Sequence, residues 1–209
     1  MAVIVVLVLA VVAGVSIWYQ THPPKTAAAP SPSTSAAPVT AGAGDIPNGC
    51  LAGRDTSAAA LIAAQKKAPH TEAGAVGLAA AFSRWFLQYP RPVAADAEKA
   101  VEQLKSQGAD KSITDKPNEL ASSKPLGGWI SGGLSFAEGR YIVEDSSADR
   151  VKVTVGGAEI KNGLPVPDSK ILSTFTLVWE SGNWRIASIS ASRTVEDLFT
   201  NGAALAGGC

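Results

Sequence analysis

Two cysteines, two histidines and one loose group of acidic side chains are the residues of this 209-residue chain whose chemistry could define a site. His22 lies far from everything else, and His70 stands alone ahead of Thr71. A Ser-His-Asp or Cys-His arrangement and a histidine-based metal site therefore lack the base or ligand they need, and His70 reads as a surface or capping residue. Glu144, Asp145 and Asp149 gather near Tyr141. A carboxylate general base needs a desolvated pocket, whereas the run 144–149 reads as a polar hairpin turn. The glycine-rich stretch 127–133 matches neither a phosphate-binding loop nor a dinucleotide fingerprint, since no helix follows it. It reads as a flexible lead-in to a sheet, with an exposed contact through Trp129 as the alternative.

Cys50 and Cys209 bracket almost everything after the first quarter of the chain. Paired, they would close a loop whose cross-linking removes about 5 kcal/mol of unfolded-state entropy and would pin both ends of a domain. The other reading is two unrelated free thiols. Their spacing does not suit a clustered metal site. Trp179 and Trp184 read as a cross-strand pair or core residues, or else as part of an exposed interface patch. The residues thus name no catalytic, cofactor-binding or metal-binding side chain. They give one disulfide candidate, Cys50 with Cys209, and three possible interface residues, Trp129, Trp179 and Trp184.

The elements that must position these residues form two groups. Thr56-Ser57 can cap an alanine-rich helix running through Lys67, and Thr71 can cap a second, stopped by Pro90, with Leu78, Phe82, Trp85, Phe86 and Tyr89 on one face. A third helix is expected over 94–107, with Val101 and Leu104 inward and Gly108 as its C-cap. Residues 112–123 form a weaker helical or loop segment broken by Pro117. Beyond Gly127-Gly128 the apolar period changes to two. Strands are expected over 129–136, 140–144, 150–155, 170–180 and 183–190, the last two joined through Ser181-Gly182. Helices grouped ahead of an antiparallel meander predict an α+β domain with its helical layer in the concave face of a curved sheet.

Ahead of that domain, residues 1–19 carry no charged side chain and are nearly all apolar. A helix of that length is about 28 Å long and roughly matches a bilayer's hydrocarbon core. Trp18 and Tyr19 stand where an interfacial aromatic belt belongs. The reading is an uncleaved transmembrane helix over 1–20, against a secretory signal cut near Ala27-Ala28-Ala29 or an apolar helix unrelated to membranes. The span 21–48 is a flexible, partly polyproline spacer, since it is rich in Pro, Ala, Ser and Thr and cannot bury a core. The α+β domain then occupies 49–209. The only nearby cation, Lys25, weakly favours a cytoplasmic domain, but the spacer composition and the cysteine pair favour an extracytoplasmic one. Eighteen basic and eighteen acidic residues cancel. Such a chain lacks the electrostatic footprint of a nucleic-acid binder.

The closing segment TFTLVWESGNWRIASI, residues 174–189, resembles the last two strands of nuclear-transport-factor-2-like domains. A membrane helix, a spacer and such a domain together resemble the bitopic scaffold subunits of type IV secretion and conjugation machines, and the Mce-associated membrane proteins of actinobacteria. HTEAGAVGLAAAFSRWFLQYP, residues 70–90, is similar to accessory membrane proteins of actinobacterial mobile and conjugative elements. The resemblance covers roughly residues 50–193. It implies a non-enzymatic, single-pass component of the cell envelope that assembles with the membrane and with other envelope or secretion-apparatus proteins, with a homo-oligomer also open. The alternative is an envelope module holding a lipid or hydrophobic small molecule in the cone of the fold. An enzyme is the third reading, since some enzymes of that fold, such as ketosteroid isomerases, pair an Asp base with a Tyr donor.

Overall fold

The computed structural model describes residues 46–123 and 127–209. The apolar segment 1–19 and the spacer up to residue 45 lie outside them. Among the described residues no helix is long and apolar enough to cross a membrane.

The helical layer comes first. Helix α1, Ala58–Lys67, is capped by Ser57, whose side chain accepts from the amide of Ala60, and α2, Glu72–Leu87, is capped in the same way by Thr71 on Gly74. Almost every position of α2 from Gly74 to Trp85 is buried, as expected of a helix that is apolar all round and enclosed by the rest of the domain. It ends two residues earlier than Pro90 requires. A residue before proline is driven out of helical geometry, and here Tyr89 bridges Gly132 instead of joining the apolar face of α2. Helix α3, Ala94–Leu104, is also shorter than expected, and Gly108 is not its cap. Lys105 turns extended and bridges Ile186, and the amide of Ser106 donates to the carbonyl of Ile186 at 2.9 Å. A sheet strand thus captures the chain before Gly108 is reached. The weak segment that follows resolves into α4, Lys111–Thr114, and α5, Lys116–Ser122, with Pro117 in the first turn of α5, where its missing N–H is harmless.

The sheet is an antiparallel meander in the order β4-β3-β2-β1-β5, formed by β1 Gly132–Ser147, β2 Arg150–Lys161, β3 Leu164–Glu180, β4 Asn183–Ser190 and β5 Ala203–Ala204. The two strands expected over 129–136 and 140–144 are one strand, β1, whose pairing with β2 shifts register between Ser135 and Arg140. At that irregularity β1 passes so close to β2 that a Cβ on Gly157 would lie 2.3 Å from the backbone oxygen of Ser135. Only glycine fits such an approach. Strands β2 and β3 also run further than expected, joined by Asn162-Gly163 with φ of 52° and 82°, the positive pair of a type I′ hairpin. Pro165 and Pro167 are tolerated because β4 pairs with β3 only from Thr174 onward, leaving that end of β3 as an edge. The expected hairpin at Ser181-Gly182 is present, with Trp179 opposite Trp184.

The helices pack on the curved face carrying Val151, Val153, Val155, Phe175, Leu177, Trp184 and Ile186, all buried. Phe82 lies at its centre, with ring centroids 5.3 Å from Trp85 and 5.9 Å edge-on from Phe175. The opposite face carries Lys152, Thr154 and Gly156 and is partly covered by α6, Val195–Asn201, whose Leu198 would meet a Cβ on Gly156 at 2.5 Å. Sequence reading assigned no element to this last stretch, although Thr194 caps α6 by accepting from the amide of Asp197. The two ends of the domain then meet. Gly49 donates to Ala206 at 2.8 Å, Ala206 to Pro47 at 2.9 Å, and Phe136 to Cys209 at 3.0 Å. The sulfurs of Cys50 and Cys209 stand at bonding distance, with Cα atoms 5.2 Å apart across a sequence separation of 159, a Cα spacing that suits a disulfide.

Candidate functional site

The three tryptophans do not form one surface. Hairpin connectivity places Trp179 at the end of the sheet that holds the β1–β2 and β3–β4 turns, and Trp129 at the opposite end beside the β2–β3 turn. Trp184 is 0% exposed, and its indole N–H donates to the carbonyl of Pro69 at 2.8 Å. It is therefore a core residue and offers nothing to a partner. Trp179 is half-buried under His70, whose ring stacks on it at 4.0 Å with an interplanar angle of 9°. The imidazole Nε2 of His70 in turn sits 2.9 Å from Asp149 Oδ1. The histidine thus clips the α1–α2 connection onto the β1–β2 turn. Trp129 is half-buried at the far end, with Lys161 over its ring at 5.4 Å.

The acidic group expected as one turn is divided. The turn itself is Ala148-Asp149, and Glu144 and Asp145 belong to β1. Tyr141 pairs with Val155 and faces the helical layer, where burial first, and then the charge of Glu72, raise its pKa. Glu144 faces the other way. Its Oε1 accepts from Thr154 at 2.7 Å, Ser192 at 2.8 Å and Arg193 at 3.1 Å, while Oε2 meets Lys152 at 2.7 Å. Burial alone would push this carboxyl up, but the hydrogen bonds from Lys152, Thr154 and Ser192, with the charge of Lys152, hold it at about 2. Arg193 also binds Asp197 Oδ2 at 2.5 Å, so two carboxylates share one guanidinium. Every strong acceptor of Glu144 is engaged. The cluster ties the chain leaving β4 to the back of the sheet through Thr154, Thr174 and Ser192, and Tyr141 lies on the other side, so Glu144 and Tyr141 do not face a common substrate.

A separate cleft lies between the end of α2 and the start of β1. This cleft holds about 500 Å³ and is lined by Thr56, Arg84, Gln88, residues 131–135 and Cys209 among others. One wall is fixed by Gln88, which donates to the carbonyl of Thr56 at 2.8 Å and accepts from its hydroxyl at 2.7 Å. The facing loop is fastened by Asn162, whose Oδ1 accepts from the amides of Ile130 at 2.7 Å and Ser131 at 3.2 Å. At this same end Ile130 is 83% exposed and Leu164 is 70% exposed.

Sequence reasoning named neither Arg84 nor the Glu144–Arg193–Asp197 group. Arg84 was detectable as the one cation inside the apolar helix AAAFSRWFL. The Glu144 group was not, because Arg193 meets Glu144 only through a strand pairing and a reversal of the chain. No protein-family model, curated protein or solved structure matches this chain, so its function must be argued from this geometry.

Proposed function

We propose that this chain is a non-enzymatic, single-pass membrane protein whose extracytoplasmic domain, a cone of the nuclear-transport-factor-2-like kind, serves as an assembly or scaffold component of a conjugation or secretion apparatus in the cell envelope. One contrast carries the reading. The concave side of the sheet is occupied by Phe82, Trp85, Phe136, Phe175 and Trp184, all buried, while Ile130 and Leu164 expose large apolar side chains at one end. A scaffold fills its cone and presents apolar area outside, whereas a binder of lipid or small molecules keeps an apolar cavity with a few convergent polar groups. A ligand held inside the cone therefore has less to support it. The apolar leader 1–19 supplies the anchor, and the proline-rich stretch 23–44 of the spacer, 22 residues long, gives a reach of about 25 Å if flexible and about 65 Å if extended as polyproline.

Affinity purification of the full-length chain from the membrane fraction of its own cells, followed by mass spectrometry, tests this. Recovery of envelope or secretion components, lost at least tenfold in the double variant Ile130→Ser/Leu164→Ser, is the expected result. Recovery of no envelope protein above background refutes it.

A further inference from the structure

Arg84 lies one turn from the end of α2 and is only 9% exposed. Its Nη1 donates to the carbonyl of Gly53 at 2.6 Å, and no carboxylate pairs with it among the described residues. A guanidinium carries five N–H donors and keeps its charge in proteins. Burial lowers the pKa of this one, as removal of a cation from water does. Such a group is expensive to bury alone, and an anion entering the cleft it lines would offset that.

Beside Arg84 the edge of β1 is open over a short stretch. Gly132 exchanges both backbone hydrogen bonds with Tyr89, at 2.9 and 3.0 Å, and the amide of Phe136 is bound by Cys209. Alternate residues of an antiparallel strand turn their backbone groups to the same edge. Leu134, midway between them, therefore directs its N–H and C=O to that edge, where among the described residues neither finds a partner. The gap from residue 132 to 136 is about 13 Å long at 3.3 Å per residue, room for two or three residues of extended chain.

We infer that this cleft receives the C-terminal carboxylate of an extended peptide, which binds Arg84 while the peptide's last residues pair with the backbone of Leu134. Strand addition supplies direction, and the charge-assisted bonds of the guanidinium select the chain end. The inference rests on the scaffold reading and names the chemistry by which such a scaffold would hold its partner.

The probe is a pool of acetylated tetrapeptides with three randomised positions followed by valine, carrying either a free carboxylate or a C-terminal amide. Binding is read from amide and guanidinium N–H signals of the isotope-labelled full-length chain in detergent. The free-acid pool should shift the Leu134 amide and the Arg84 Nε–H together and saturably, and the amidated pool should bind at least tenfold more weakly. Arg84→Gln should abolish the response. Because that variant removes a buried side chain, Gly133→Phe serves as the second. A Cβ at Gly133 comes no nearer than 3.8 Å to Gln88, so a side chain can start there without a backbone clash and narrow the cleft while the Arg84 guanidinium itself is kept, and it too should abolish binding. No saturable shift with the free acid, equal binding of the amide, a response to acetate alone that leaves Leu134 unmoved, or full binding by Gly133→Phe would each overturn the inference. These outcomes leave the scaffold reading standing if envelope partners are still recovered, whereas loss of all partners from the wild-type chain defeats that reading first.

Discussion

Replacing Glu144 by Gln removes one charge from a site where four donors converge on it. Its carboxyl is held at about 2 against an ordinary 4.5, which at about 1.4 kcal/mol per tenfold change in proton affinity corresponds to roughly 3 kcal/mol. The side chain is 12% exposed, so solvent screens it little. Because the folded-state value is depressed, this stabilisation is complete above the unfolded value and disappears as pH falls through the folded one. The window therefore runs from about pH 5 down to about pH 2. Urea unfolding of the full-length chain and of Glu144→Gln, followed by tryptophan fluorescence, should show the variant less stable by about 3 kcal/mol at pH 7. The gap should shrink to about 1.4 kcal/mol at pH 3 and to about 0.4 kcal/mol at pH 2. An equal gap at pH 3 and pH 7 would show that the loss comes from packing and not from charge. A gap below about 0.5 kcal/mol at pH 7 would reduce the cluster to an ordinary surface ion pair.

The clasp and the tryptophans give two further tests. Reducing the Cys50–Cys209 bridge, or replacing both residues by Ser, should destabilise the domain by up to about 5 kcal/mol, since the sulfurs close a loop of 159 residues. A lower urea midpoint and the uptake of two equivalents of thiol reagent only after reduction would verify this, and two reactive thiols without reduction would refute it. Trp184→Ala should cost about 3–5 kcal/mol as a fully buried aromatic. Trp179→Ala should cost about 1 kcal/mol, because it loses mainly a stacked partner at the surface. Equal losses would contradict the separation of the two rings into core and rim.

Local signals carried most of the architecture. Ser57 and Thr71 announced two helices because their hydroxyls satisfy amides within three residues, a purely local matter. The hairpin through Ser181-Gly182 was equally legible, since its alternation and its turn lie in one short stretch. Asn162-Gly163 carried the same turn chemistry, but Pro165 and Pro167 masked the strand after it. Whether a proline fits depends on whether a neighbouring strand needs its missing N–H, and that is a property of the assembled sheet. Gly108 misled for the opposite reason, because a good local cap was bypassed when Ile186 captured the chain at Lys105 and Ser106.

What the sequence by itself determined is therefore what neighbouring residues decide among themselves: the α+β order, the helix starts, the tight turns, the apolar leader and the bracketing positions of Cys50 and Cys209. Only the tertiary structure decided that Trp184 is interior while Trp179 is rim, that Glu144 is a half-buried four-donor acceptor on the back of the sheet rather than part of the turn, and that Arg84 borders an open strand edge. Each of these depends on which distant segment arrives to cover or charge a side chain. Burial and electrostatic field are set by groups brought close in space, and no spacing along the chain encodes them directly.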